Sequence, residues 1–276
     1  MTASPDPSQT ELAADNAPSR TLAIATHDLS KHFGQRKAVD GLTISIPVGT
    51  IAGFVGPNGA GKTTTIRLLL GLMRPSAGSA TILGQPLTHP ERYLPCVGAL
   101  IEAPAFYPSL SGRTNLEVLA RLGDFPRSRV DQVLEVVELS DRGSDPVRTY
   151  SQGMKQRLGV AMALLPDPDL LILDEPANGL DPLGIIQMRD LLRHLRELGK
   201  TIFLSSHLLG ELEQVTDWLV MLNLGKALFS GPAREFLDRR GELVVEAEEA
   251  TQLDLLPICD MQNKLKNGML PRSLRT

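Results

Sequence analysis

Cysteine is scarce in this 276-residue chain, with only Cys96 and Cys259, far apart in sequence. That excludes a disulfide scaffold and a paired-cysteine zinc ribbon, and it suits a reducing cytosol. Long apolar runs are missing too. The longest clean stretch, Leu158 to Leu165, is closed by Pro166 and is too short to cross a bilayer. There is no surplus of positive charge: 28 Lys and Arg stand against 32 Asp and Glu, a net −4. Strong bulk attraction to nucleic acid or to anionic lipid is therefore excluded, which leaves room for a local basic patch; no nucleic-acid partner is expected. No internal repeat or low-complexity tract occurs. The first 20 residues hold Pro5, Asp6, Pro7, Glu11, Asp15 and Pro18 without an apolar core. They are expected to form a disordered leader rather than a secretory signal.

What is present reads as a globular α/β protein. Apolar residues make up 42% and charged residues 22%, enough to bury a core. Order is expected from about Leu22, with a principal domain over 21–240. Thr43 to Ile46, Thr50 to Val55, Ser79 to Leu83, Leu170 to Leu173, Thr201 to Ser205 and Trp218 to Leu222 read as strands. A hairpin turn at Asn223 to Lys226 leads to another at Ala227 to Phe229. Helical spacing covers Thr63 to Met73, Asn115 to Leu122, Ser128 to Leu139, Gln152 to Leu165 and Leu208 to Val215. Ser128-Arg-Val-Asp131 reads as a capping box. Asp181-Pro182 reads as an N-cap and first helical residue, with Gly199 as the C-cap. Strands alternating with helices imply a parallel core. The helices between 112 and 165 have no strands among them and read as an inserted helical lobe. Pro86 to Pro108, with five prolines, reads as loop. Beyond residue 240 the tail is of uncertain structure. Leu243 to Glu249 is an optional extra strand, and Lys264, Lys266, Arg272 and Arg275 make the end basic.

Gly56-Pro57-Asn58-Gly59-Ala60-Gly61-Lys62-Thr63, followed by Thr64, fits G-x-x-x-x-G-K-S/T between a strand and a helix. Glycines let backbone N–H groups turn inward as an anion nest, and the helix N-terminus adds positive charge. Lys62 is suited to the β- and γ-phosphates of a nucleotide and the Thr63 hydroxyl to Mg²⁺. The buried run 170–173 ends in Asp174 and Glu175. At that distance after a P-loop, Asp174 suits the Mg²⁺ shell and Glu175 the activation of water.

A third segment narrows the reading. Tyr150-Ser151-Gln152-Gly153-Met154-Lys155-Gln156-Arg157 resembles the signature of the ATP-binding cassette (ABC) family. Ser151, Gly153, Gln156 and Arg157 match it, whereas Gln152 and Met154 stand where Gly and Gln are usual. The resemblance spans about Leu22 to Pro232. It implies a P-loop NTPase parallel sheet with an antiparallel β subdomain and the helical lobe. It also implies that Ser151 and Gly153 contact the γ-phosphate of ATP held by a second subunit, a second copy of the chain being the expected partner. Asn178-Gly-Leu-Asp181-Pro182 matches the family's D-loop, His207 its switch histidine, and Phe33 the aromatic that stacks on adenine. Glu102 falls where a glutamine usually reaches Mg²⁺ and the attacking water. Gly98 to Pro104 and the Tyr150 to Arg157 segment resemble the bacitracin-resistance and lantibiotic-immunity exporters. By that resemblance the chain is an ATPase working with a separate integral-membrane permease, peripheral at the cytoplasmic face of the membrane. An importer subunit and a soluble ABC ATPase acting on ribosomes or DNA are the alternatives.

Overall fold

Two burial patterns sort the strands into two sheets. The computed structural model describes residues 22–102, 105–208, 210 and 213–238. In chain order the strands are β1 (Leu22–Phe33), β2 (Arg36–Pro47), β3 (Ile51–Val55), β4 (Ala77–Ile82), β5 (Gln85–Pro86), β6 (Val97–Leu100), β7 (Leu170–Asp174), β8 (Thr201–Ser206), β9 (Trp218–Asn223) and β10 (Lys226–Pro232). The helices are α1 (Lys62–Leu69), α2 (Pro90–Tyr93), α3 (Gly112–Leu122), α4 (Ser128–Val136), α5 (Gln152–Leu164), α6 (Pro182–Glu197) and α7 (Ala233–Asp238).

In β2, Leu42, Ile44 and Ile46 are buried while Thr43 and Ser45 face out. Such alternation suits an antiparallel sheet with one wet face. β1 and β2 pair with β4 and β5 in the order β2-β1-β4-β5. By contrast, β3, β7 and β8 are buried along their whole length. Both faces of these strands must be covered, as in a parallel sheet packed between layers. They lie in a six-stranded sheet ordered β10-β9-β3-β8-β7-β6, in which β10 pairs antiparallel with β9 and the other pairings are parallel.

Alternate residues of those strands feed two cores. Leu171, Leu173, Ile202 and Leu204 pack with Leu116, Leu134 and Leu158 of the α3–α5 lobe. Ile172, Phe54 and Phe203 pack with Ile66 and Leu69 of α1 and with Ile44 and Ile46 of the antiparallel sheet. The parallel sheet is thus clamped between the helical lobe and the antiparallel sheet with α1. Its strand ends are held firmly at the edge where β3 opens into α1.

Several local expectations need correction. The stretch from Pro86 to Pro108 is not all loop. It contains α2 and β6, and β6 pairs with β7 at the sheet edge. Val97-Gly-Ala-Leu is too short and too small to show periodicity; close packing decides its state. A Cβ on Gly98 would lie 2.1 Å from the Ala163 carbonyl oxygen of α5. The capping box at Ser128 does not form. Arg127 is the N-cap of α4 and no side chain caps it. The first turn is closed instead by Arg129 N–H donating to Pro126 O (2.9 Å) and Val130 N–H to Arg127 O (3.1 Å). Asp131 is drawn away to Arg113 of α3, 2.5 Å off. α1 stops at Leu69 rather than Met73, because Gly71 (φ +68°) turns the chain and Leu72 and Met73 N–H both bond back to Arg67 O. β1 was not anticipated as a strand. Its register with β2 shifts repeatedly, and Asp28 (φ +48°) interrupts its alternation. Asp181 does cap α6, accepting from Gly184 N at 2.9 Å, and Gly199 (φ +84°) follows the cap residue Leu198. The helix expected over 208–215 falls partly outside the described residues. The leader, the strand expected over 243–249 and the basic end lie wholly outside them.

Candidate active site

Parallel strands bring their C-terminal ends to one edge, where open α/β sheets bind ligands. Register places Val55 of β3 beside Ser206 of β8, and Ser205 beside Asp174 of β7. The chain leaves β3 through Gly56–Gly61 and enters α1. Gly61 has φ +108°, and a Cβ there would lie 2.3 Å from Ala38 O; a Cβ on Gly56 would lie 2.3 Å from Leu222 O. Only glycine fits either position without moving backbone. Ala60 N–H donates to Pro57 O (3.1 Å) and closes the loop. α1 begins with no side-chain cap and no acidic residue in its first turn. Its positive end is thus left for an external anion.

Lys62 is only 6% exposed. Its Nζ donates to Gly56 O at 2.7 Å and lies 3.3 Å from Glu175 Oε1. A buried ammonium requires such partners. Thr63 Oγ1 donates to Asp174 Oδ2 at 2.9 Å. Glu175 follows β7 in a left-handed conformation (φ +51°), and its Oε2 accepts from His207 Nδ1 at 2.8 Å and from His207 N–H at 3.3 Å. A carboxylate can only accept, so the Nδ1 proton is assigned by this partner. The structure thereby joins Lys62, Thr63, Asp174, Glu175 and His207, residues from three segments of the sequence, in one network.

This network borders an open cleft of ≈ 400 Å³ lined by Lys62, Thr63, Thr64, Glu175, Asn178 and His207. Asn58, Gly59 and Gly61 of the loop line it as well, and Arg36 and Ala38 of β2 form another wall. Arg36, Ala38 and the buried hydroxyl of Ser205 carried no sequence signal. An isolated cation and a serine in an apolar strand have neither period nor motif.

Other expected residues stand elsewhere, outside the cleft lining. Phe33 is 48% exposed at the end of β1, with Lys31 Nζ 5.4 Å from its ring centroid; it pairs in register with Arg36. Glu102 follows β6 at φ +61°, and its carboxylate is ion-paired to Arg67 of α1. Ser151 caps α5, accepting from Met154 N at 3.2 Å, and Gly153 sits in the first turn beside it. Asp181 caps α6. Tyr150 anchors the start of α5: its hydroxyl donates to Arg142 O at 2.7 Å, and burial, the larger influence, raises its pKa above the ordinary phenol value.

Comparison with known proteins fits this geometry. The ABC transporter family model matches residues 39–178, half of the chain. The bacitracin transport ATP-binding protein BcrA of Bacillus licheniformis is 45% identical over 232 residues, covering 83% of this chain and 76% of the relative. The lantibiotic transport ATP-binding protein SrtF of Streptococcus pyogenes is 38% identical over 205 residues, covering 74% and 89%. A solved ATP-binding subunit of an ABC transporter is 30% identical with a TM-score of 0.69, covering 80% of this chain and 94% of that one. The cbiO1 protein of Clostridium perfringens shares the fold at 22% identity and a TM-score of 0.72, covering 89% and 99%. Glycine loop, buried lysine, twin acids and histidine at one sheet edge, together with these matches, lead to one conclusion: the chain belongs to the ABC transporter family and carries that family's ATPase.

Proposed function

We propose that this ATPase drives a separate membrane permease from the cytoplasmic face of the membrane, exporting a peptide antibiotic of the bacitracin or lantibiotic kind. The network of Lys62, Thr63, Asp174, Glu175 and His207 around one anion-ready helix end carries the ATP part. Likeness to proteins named for bacitracin and lantibiotic transport supports the cargo class. Among the described residues no helix is long and apolar enough to cross a membrane; likeness to proteins named as ATP-binding members of transport systems supports a separate permease.

In this reading the loop 56–61 and the start of α1 cradle the phosphates of ATP. Lys62 exchanges its Glu175 partner for the β- and γ-phosphates. Among the described residues there is no cage of three or more His, Cys, Asp or Glu side chains. Thr63 Oγ1 and Asp174 Oδ2, two hard oxygens 2.9 Å apart, suit Mg²⁺, which takes few protein ligands and completes its shell from phosphates and water. They would hold it, and it would supply positive charge to offset that of the phosphates. Glu175 orients and deprotonates the attacking water, and His207, which donates to its Oε2, steadies that carboxylate. Phe33, paired in register with Arg36 of the cleft wall, is assigned the adenine end. Ser151, Gly153 and Asp181, outside the cleft of their own chain, complete the site of a second copy arranged head to tail. ATP would close the pair and hydrolysis would open it, because the two nucleotides bind the closed state with different affinity.

Glu102 reaches such a site only by leaving Arg67. A carboxylate near ATP repels it when no cation intervenes. Two unit charges about 4 Å apart in water are worth about 1 kcal/mol. Glu102→Gln is therefore expected to tighten metal-free ATP binding by about fivefold and to weaken its dependence on Mg²⁺, measured by calorimetry with and without EDTA. Identical curves for both proteins would place Glu102 away from the nucleotide.

The permease assignment is tested by purifying tagged Glu175→Gln protein from solubilised native membranes with Mg²⁺-ATP, followed by mass spectrometry. The expected partner is a stoichiometric polytopic membrane protein without a cassette of its own. Ribosomal or DNA-bound partners in its place would overturn the transport reading.

A further inference from the structure

Ser205 lies wholly inside the protein, with 0% exposure, at the penultimate position of β8. Its hydroxyl makes two hydrogen bonds. It donates to Asp174 Oδ1 at 2.5 Å and accepts from the Glu175 backbone N–H at 3.0 Å. The direction is forced, because a carboxylate only accepts and an N–H only donates. One side-chain oxygen therefore ties the proposed metal ligand to the backbone of the proposed base.

Each bond has a local reason. Asp174 has two carboxylate oxygens to satisfy at the end of a buried strand. Thr63 Oγ1 takes Oδ2 and Ser205 takes Oδ1, so the plane of the carboxylate is held from both sides. Glu175 lies just past Asp174, the last paired residue of β7, and leaves strand geometry at φ +51°, so its N–H has no ladder partner. The Ser205 hydroxyl receives that N–H in place of a backbone carbonyl. Ser205 is wholly buried and its hydroxyl is engaged by Asp174 and the Glu175 N–H, so it acts through those two neighbours and not on the nucleotide.

We propose that Ser205 is a positioning residue of the ATPase: its hydroxyl sets the Asp174 carboxylate for Mg²⁺ and holds the left-handed turn that aims Glu175 at the attacking water. The proposal rests on the ATPase reading of the cleft. Without the hydroxyl, Asp174 Oδ1 loses its donor and the carboxylate can rotate off Thr63. The Glu175 N–H loses its acceptor as well, so the base is loosened in the same step. Metal affinity and the chemical rate should both suffer, while the loop that grips the phosphates, built from Gly56 to Lys62, is untouched.

The test compares full-length wild type, Ser205→Ala, Ser205→Thr and Lys62→Ala. Binding of a fluorescent ATP analogue (mant-ATP) is followed first in EDTA and then through a Mg²⁺ titration, and single-turnover hydrolysis is measured at saturating Mg²⁺. Ser205→Ala is expected to bind mant-ATP in EDTA as wild type does. Its Mg²⁺ midpoint should rise about tenfold, as loss of an outer-shell partner typically entails. Its single-turnover rate should fall about tenfold or more, as loss of a hydrogen bond to a charged group entails. Ser205→Thr, which keeps the hydroxyl, should recover most of the Mg²⁺ response. Ser205→Ala with a lowered melting temperature but an unchanged Mg²⁺ midpoint and rate would overturn the proposal, leaving Ser205 a packing residue only. Should Ser205→Thr fold poorly, the alanine variant's midpoint and rate decide alone. Wild-type nucleotide binding that Lys62→Ala does not weaken would instead overturn the ATPase reading of the cleft itself.

Discussion

Lys62→Ala is expected to lose ATP affinity by about thirtyfold to several thousandfold in a calorimetric titration, while the fold survives. Truncating one partner of a buried, hydrogen-bonded charge pair costs about 2–5 kcal/mol, and each 1.4 kcal/mol is a factor of ten. Lys62 sits at the upper end of that class, since only 6% of it is exposed and its Nζ has a fixed direction set by Gly56 O. The same change removes the cation 3.3 Å from Glu175 Oε1 and leaves that carboxylate to His207. Thermal stability should change little by comparison, because the side chain's polar contacts lie at the cleft and not within either hydrophobic core. An unchanged binding curve would show that the loop is a glycine turn beside a lysine and not a phosphate cradle.

Glu175→Gln is expected to keep ATP and lose its hydrolysis by about 10²- to 10⁴-fold, the usual contribution of a general base. Glutamine preserves size, and its amide oxygen can still accept from His207 Nδ1, 2.8 Å from the carboxylate it replaces. It cannot take a proton from water at neutral pH. The sign of the binding effect also follows from the structure. Lys62 is paired with Glu175 at 3.3 Å. Removing that charge frees the ammonium for phosphate, so ATP should bind at least as tightly as to wild type. Wild-type turnover in the purified variant would remove Glu175 from the base role.

These residues were legible in the sequence because their chemistry is contiguous. An anion nest needs glycine at set offsets from its lysine, and an all-buried strand ending in two acids stands out against any alternation. β3, β7 and β8 were legible for the same reason, as short apolar runs that cannot face water. What escaped notice depends on partners distant in the chain. β6 has four residues between prolines, and only pairing with β7 and the close approach of Gly98 to α5 make it a strand. The apparent cap at Ser128 lost to carbonyls of Pro126 and Arg127, and its acid was claimed by Arg113. Ser205 reads as one more residue of an apolar strand until register sets it against Asp174. Arg36 reaches the cleft only because β2 crosses beside the loop, with Ala38 O filling the space a side chain at Gly61 would need. The position of Glu102 was legible as a departure from the family pattern, but its partner Arg67, 35 residues earlier, was not.

The central claim is that this cleft is half of an ATP site, completed by Ser151 and its helix from a second copy. The molar mass of full-length Glu175→Gln in solution, with and without saturating Mg²⁺-ATP, tests it most directly. A particle of about 30 kDa without nucleotide, against the chain's 29.9 kDa, should become one of twice that mass with ATP. A protein that binds ATP yet stays at monomer mass, or that pairs equally well without nucleotide, would contradict the account.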